Sequence, residues 1–569
     1  VKGVAYRAFL FLIAGALAAA GCAPAQRADV VLFNGIVHTM DPGGGPGATA
    51  IAVAGGTIAY VGSDEGARAL AGPSTEMVDL GGKTVVPGFV ESHGHLLGLG
   101  HLRRRLELSG VRTYDEMVSM VAEAVKKAKP GEWIQGRGWH QSKWNPQPGR
   151  LVKGFPLNDA LSAVSPDNPV WLRHASGHAG IANARAMEIA GIGPGTRSPD
   201  GGEVIRDRDG RATGVFVELA QQLIGGAIEA PSKESEQLAL ETAMSECLSK
   251  GVTTFVDAGE TRKQIAIYRE YAAAGKLSMR IAAMVGGRDG VDTAEYFAEP
   301  PDTGTPGGFL TVRTLKLAID GALGSRSAWL IEPYSDDSSS TGFATMKPAD
   351  LERVAAEALR RGYQVCVHAI GDRANRETLD AFERAFRTRP SLAKAARFRI
   401  EHAQILDSTD IPRFARLGVI ASIQGIHCTS DRPWAPSRLG MARIAEGAYA
   451  WRKLRDAGAI IINGTDTPVE DVDPLRCYYA SVTRRQPDGT PPGGFDPDQK
   501  MTREEALRSY TIDGAYGIFR ERELGSLRAG KLADLAVLSG DILSVPDDDL
   551  LSIRVTATMV NGRFVYRAE

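Results

Sequence analysis

The chain reads as an α/β protein: a (β/α)8 barrel of the TIM type, with a small β-sandwich built from both chain ends and a large insertion after the first barrel strand. Three observations carry that expectation. Eight aliphatic runs recur, at 83–93, 251–259, 278–286, 310–320, 363–372, 397–404, 418–425 and 459–469. Helical stretches separate most of them, and short strand-like runs with Gly-rich turns crowd both ends. Parallel strands buried on both faces need such unbroken apolar runs, and parallel neighbours need a crossover, usually helical. Eight units match a closed barrel; a doubly wound open sheet is the alternative that periodicity leaves open.

Taken in order, residues 1–21 resemble a signal peptide. Lys2 and Arg7 precede an apolar stretch too short for a convincing membrane span, and Ala19-Ala20-Gly21 leads into Cys22 as in a bacterial lipobox. The expectation is export, with Cys22 lipidated and the protein held at the cell envelope by that anchor alone; an ordinary signal peptide is the alternative. Residues 22–86 and 526–569 supply the two parts of the sandwich, as runs at 29–41, 50–62, 76–88, 532–541, 554–562 and 563–569. Asn34-Gly35 and Asn561-Gly562 both predict hairpins. Residues 87–525 form the barrel domain. The stretch 348–362 opens on a helix-start proline and ends on Gly362. The insertion, 100–235, is far longer than a barrel connection needs and carries Trp133, Trp139, Trp144 and Trp171. It leaves strand 1 at the catalytic face of such barrels and is expected to form an aromatic lid there.

Composition narrows the function. Of 569 residues, 43% are hydrophobic and 24% charged, so the chain is globular. A formal net charge of −2 argues against nucleic-acid binding by bulk electrostatics. Cys247, Cys366, Cys428 and Cys477 form no C-x-x-C pattern and read as small buried apolar residues.

The chemistry is carried by polar residues at strand ends. His93 and His95 close the first barrel run two residues apart, and a strand places residues i and i+2 on one face, so both imidazoles can reach one cation. His368 ends the fifth run, His402 the sixth and Asp466 the eighth, while Lys316 interrupts the apolar fourth. Neutral nitrogens with one anionic oxygen suit a borderline divalent metal such as zinc. A protonated lysine beside a dication is repelled and burial favours its neutral amine, which can add CO2 and become an anionic, bidentate carbamate. His178, which lies with His174 in the insertion, and Arg326, just past the fourth run, are candidates for contacting substrate; His101, His140 and His427 stay unassigned. Neither a Ser/His/Asp triad nor a phosphate-cradling Gly-rich loop is evident.

Together with the segments "LKLAIDGALGSR", "VHAIGDRAN", "IEHAQ", "GTDTPV" and "GSLRAGKLADLAVL", this set resembles the amidohydrolase superfamily of metal-dependent hydrolases, in the branch of the N-substituted formamide deformylases, amidohydrolase family 3. The resemblance covers nearly all of the chain after the leader. It implies a binuclear centre, two zinc ions bridged by carboxylated Lys316, with His93, His95 and Asp466 on the buried ion and His368 and His402 on the exposed one. It implies hydrolysis of a small amide or formamide-like C–N bond by metal-activated hydroxide, with Asp466 as ligand and proton shuttle. Two alternatives stand beside it: a mononuclear deaminase-like or ester- and lactone-cleaving enzyme of the same superfamily, and a lipoprotein that binds a small molecule without turnover.

Overall fold

The computed structural model describes residues 27–44, 47–103, 105–229, 231–286, 297, 299–304 and 307–568. Each of the eight aliphatic runs holds a strand, and the eight form one parallel sheet in chain order: β1 (Phe89–Gly94), β2 (Val252–Glu260), β3 (Arg280–Gly286), β4 (Leu310–Ala318), β5 (Gln364–Ala369), β6 (Arg399–His402), β7 (Ile420–Ile423) and β8 (Ile461–Asn463). β8 and β1 are the edges of this ladder. At the rim, Asp466 N donates to His93 O (2.8 Å) and His95 N to Thr467 O (2.7 Å), so the barrel is nearly closed. The crossover helix Pro348–Arg361 starts on its proline and stops at Gly362, whose φ of 80° lets the chain turn left-handed.

The chain ends build two further sheets. One has the order Thr57–Gly62, Ala50–Ala54, Val30–Phe33, Glu76–Asp79; the other runs Ile36–Val37, Thr84–Pro87, Leu535–Leu538, Val555–Val560, Arg563–Arg567. Leu32, Ile51 and Val53 of the first share an apolar cluster with Val85, Leu535 and Met559 of the second. Two local expectations change here. Asn561-Gly562 makes the predicted hairpin, with both residues at positive φ (51° and 76°) between antiparallel strands. Asn34-Gly35 does not: the strands on either side of it lie in different sheets, so it passes the chain from one sheet to the other. The run 83–93 is likewise two strands. Thr84–Pro87 pairs with Leu535–Leu538, whereas β1 begins after Gly88, where a Cβ would sit 2.2 Å from Thr253 Oγ1 on β2.

Residues 106–218 carry a six-stranded sheet in the order Gly202–Arg206, Ala212–Glu218, Ala179–Ala182, Val170–His174, Ile134–Trp139, Leu106–Glu107. Its tryptophans correct the expectation of an aromatic lid. Trp139 and Trp144 stack at 5.8 Å inside a cluster with Leu172 and Ile181, and Trp171 packs on Phe216 at 6.1 Å in a second cluster that Trp133 borders. Large aromatic faces fill the core of this sheet instead of facing a ligand. The four described cysteines are free and buried. Among the described residues, no helix is long and apolar enough to cross a membrane.

Candidate metal centre

The strand ends bring His93, His95 and Asp466 together: one ligand atom from each lies within 4.8 Å of the others. Asp466 Oδ1 is 3.2 Å from His95 Nε2 and 3.7 Å from His93 Nε2. This closeness depends on Gly464, the residue after β8. A Cβ there would come within 2.5 Å of Glu91 Oε1 and 2.6 Å of His93 N, so only glycine lets the exit of β8 lie against β1. Thr465 N then donates to Glu91 Oε1 (2.6 Å), and the chain turns at Asp466 with φ 56°.

Each ring is anchored through Nδ1. His93 Nδ1 pairs with Glu401 Oε2, His95 Nδ1 with Ala258 O (2.8 Å) and His402 Nδ1 with Gln424 Oε1 (2.6 Å). A histidine held this way commits its Nδ1 proton to the anchor and leaves Nε2 as a lone pair, the arrangement that fixes a metal-ligating tautomer. Glu401 is itself gripped by Arg399, at 2.7 and 2.9 Å, and Arg399 also reaches Ser92 O (2.7 Å). Burial alone would raise the Glu401 carboxyl, but Arg399 and then His93 hold it well below the usual carboxylate range.

The electrostatics suit a cation. Burial pushes the His93 and His402 pKa values down, which keeps both rings neutral with lone pairs to give. For Asp466 burial pulls upward, but the close contact with His95 is the largest of the pulls that hold it well below the usual carboxylate range. Asp466 Oδ1 is buried and makes no well-formed hydrogen bond. An anionic oxygen facing two nitrogens with no donor between them fits a divalent ion, and these residues are able to hold one.

The other expected ligands lie around the same mouth. The His402 ring is 5.1 Å from that of His93 and 4.4 Å from that of His368. His368 Nε2 lies 3.6 Å from buried Asp320 and 3.5 Å from Gly321 O. In the ladder Ala318 pairs with His368 and Lys316 with Cys366, so Lys316 sits two residues deeper in the barrel; its charge acts on His93, His402 and Glu401. His178 enters from the insertion, its ring 6.5 Å from that of His368. Arg326 is not brought into this cluster. Its guanidinium clasps Asp336 at 3.0 and 3.1 Å, and Arg438 joins the same carboxylate, so the planar donor fork expected for substrate is spent on a half-exposed ion pair. Cys22 lies outside the described residues.

Several residues at the site went unnoticed in the sequence. Arg399 and Glu401 were readable as opposite charges two apart in a buried strand, hence on one face. Gln424 carries no such signal, and neither does Glu218. Glu218 adopts φ 50° and ψ −128°, a conformation that costs a non-glycine residue about 1–3 kcal/mol.

Comparison with known proteins gives the family. The family model described as "Amidohydrolase family" matches residues 76–566. This chain belongs to that family. It is 32% identical to the amidohydrolase YtcJ of Bacillus subtilis over 94% of the chain and 99% of the relative. It is 30% identical to the N-substituted formamide deformylase of Arthrobacter pascens over 95% and 99%. Among solved structures, a metal-dependent hydrolase of Pyrococcus horikoshii superposes with a TM-score of 0.74 at 28% identity, covering 91% of the chain and 99% of that protein. The protein is thus a hydrolase of a metal-dependent superfamily.

Proposed function

We propose that this amidohydrolase cleaves a non-peptide C–N bond, an amide or formamide-like bond, in a small molecule. The observation that carries the reading is the convergence of His93, His95 and Asp466 at the barrel rim, with every anchored ring turned to leave Nε2 available. Likeness to a formamide deformylase along almost the whole chain supports the bond type. In this reading His93, His95 and Asp466 would hold one zinc ion and His368 and His402 a second, with carboxylated Lys316 as a further anionic ligand. Such ions supply Lewis acidity toward a carbonyl and acidify water. The chain's own work is done by Asp466, which takes the proton from the attacking water and passes it to the leaving nitrogen. The Glu401–Arg399 pair keeps His93 from turning, and the sheet at 106–218 forms an insertion beside the mouth, with the terminal sheets acting as one sandwich.

Metal analysis combined with a panel of N-acyl amides, formamides and lactones tests this. Two equivalents per chain and turnover of amides or formamides are expected. Lys316→Ala should lose metal and activity together, and a short carboxylic acid should restore part of both. A mononuclear centre is the second reading, favoured by one observation: His93, His95 and Asp466 make a three-ligand group by themselves, while His368 Nε2 faces Asp320. One equivalent of metal, retained in full by Lys316→Ala, would put that reading first. Export with lipidation of Cys22 completes the proposal; fatty-acid labelling that survives Cys22→Ala would remove it.

A further inference from the structure

The hydrolytic reading above assigns nothing to Glu218, yet this residue ties the insertion to the barrel mouth. Its carboxylate meets His178 Nδ1 at 2.9 and 3.0 Å and accepts hydrogen bonds from Ser327 Oγ (2.7 Å) and Ser325 Oγ (3.2 Å). Both serines stand in the loop after β4, and the same loop presents Gly321 O to His368. His178 and Glu218 are also joined through the main chain, Glu218 N donating to His178 O (2.8 Å).

The strained backbone decides how to weigh these contacts. A main-chain tie alone is served as well by glycine, which adopts the Glu218 conformation freely. What glycine cannot supply is the carboxylate. Strain kept at a residue beside a reactive centre points to a need for its side chain.

We propose that Glu218 is a positioning residue of the catalytic centre, which it serves through His178. A carboxylate accepts, so Nδ1 of His178 donates to Glu218 and the ring is held in one orientation. Held so, its ring 6.5 Å from that of His368, His178 orients the amide at the mouth while Asp466 moves the proton. This claim rests on the hydrolytic reading, and the centre is complete only when the insertion is seated.

Glu218→Gly and Glu218→Ala, each made also in a His178→Ala background, test it. Both single variants remove the carboxylate, but only glycine relieves the backbone, so Glu218→Gly should melt about 1–4 °C above Glu218→Ala. Both should nevertheless lose roughly 10–100-fold in kcat with metal content unchanged. In the His178→Ala background the second change should add less than about threefold, because the two residues act as one unit. The imidazole 15N signals of His178 should show the Nδ1–H tautomer in the wild type and leave it in both variants. Activity that recovers with stability in Glu218→Gly, additive losses, or unchanged His178 signals would each overturn the proposal. Should the wild type turn over no amide at all, the hydrolytic reading fails instead, and the 15N signals alone decide whether Glu218 positions His178.

Discussion

The barrel mouth and the insertion bring histidines to the same place by opposite means. In the barrel, His93, His95 and His402 stand at strand ends, and each is anchored at Nδ1 by a group near the end of another strand: Glu401, Ala258 O and Gln424. The ladder sets their places, although His402 leaves its strand at φ 76°. In the insertion, His178 stands just before the strand Ala179–Ala182 and depends on Glu218, a residue in a conformation it does not prefer. The first arrangement is as rigid as the fold itself. The second can be altered without touching the core, and a site built from both halves keeps its metal-holding groups fixed while its substrate-facing groups vary.

The comparison can be broken at either half. The largest effect is expected at the mouth, where Asp466→Asn keeps the shape of a ligand but cannot accept a proton; kcat should fall roughly 10²–10⁴-fold with the thermal transition retained. Near wild-type turnover in steady-state assays would sink the proton-shuttle role. Next is the core of the insertion. Trp139→Ala removes a fully buried ring and should cost about 3–5 kcal/mol. Hydrogen exchange should then show lost protection at 134–139 and 170–174 while β1–β8 stay protected; joint loss of both would show that the insertion does not unfold separately.

A smaller effect follows from acid. Burial, then Lys143 and Arg438, push His140 down to about 4, and burial holds neighbouring His174 well below its ordinary value. The unfolded chain therefore binds protons that the folded insertion refuses. Stability is full above the unfolded histidine value and is lost as pH falls through the window down to about 4. From pH 7 to pH 5, His140 alone contributes up to about 2 kcal/mol of that loss. His140→Gln should flatten the dependence in urea titrations at the two pH values, and an unchanged slope would discard this account. The smallest effect is expected at Arg326. Its ion pair with Asp336 is half-exposed, so Arg326→Ala should change stability by less than about 1 kcal/mol and kcat/KM by no more than about twofold.

The parts that were legible in the sequence are those governed by short-range periodicity. A parallel strand announces itself by an apolar run, and a polar residue at its end stands out, which is how His93, His95, His368, His402 and Asp466 were found together. Contacts between segments distant in the chain were not legible. Asn34-Gly35 carries the same local signal as Asn561-Gly562, and only the sheet each flanking strand joins separates a crossing from a hairpin. Trp139 and Trp171 looked like lid residues because aromatic content does not say which side of a sheet is covered. Arg326 has the donor fork that a carboxylate ligand needs, and Asp336, ten residues on, took it. Glu218 lay hidden because strain is a property of φ and ψ, and nothing in the letter Glu reports it.

The pairing of Thr84–Pro87 with Leu535–Leu538 has a consequence for how the chain is made. The strand that leads directly into His93 and His95 pairs on one side with Ile36–Val37, but its other edge finds a partner only after more than four hundred further residues have been synthesised. Until then its edge stays open, and pairings so distant in sequence form slowly. A chain truncated before Leu535 would leave that edge bare beside β1, so a stop codon placed between Leu527 and Leu535 should abolish metal binding although it deletes no ligand.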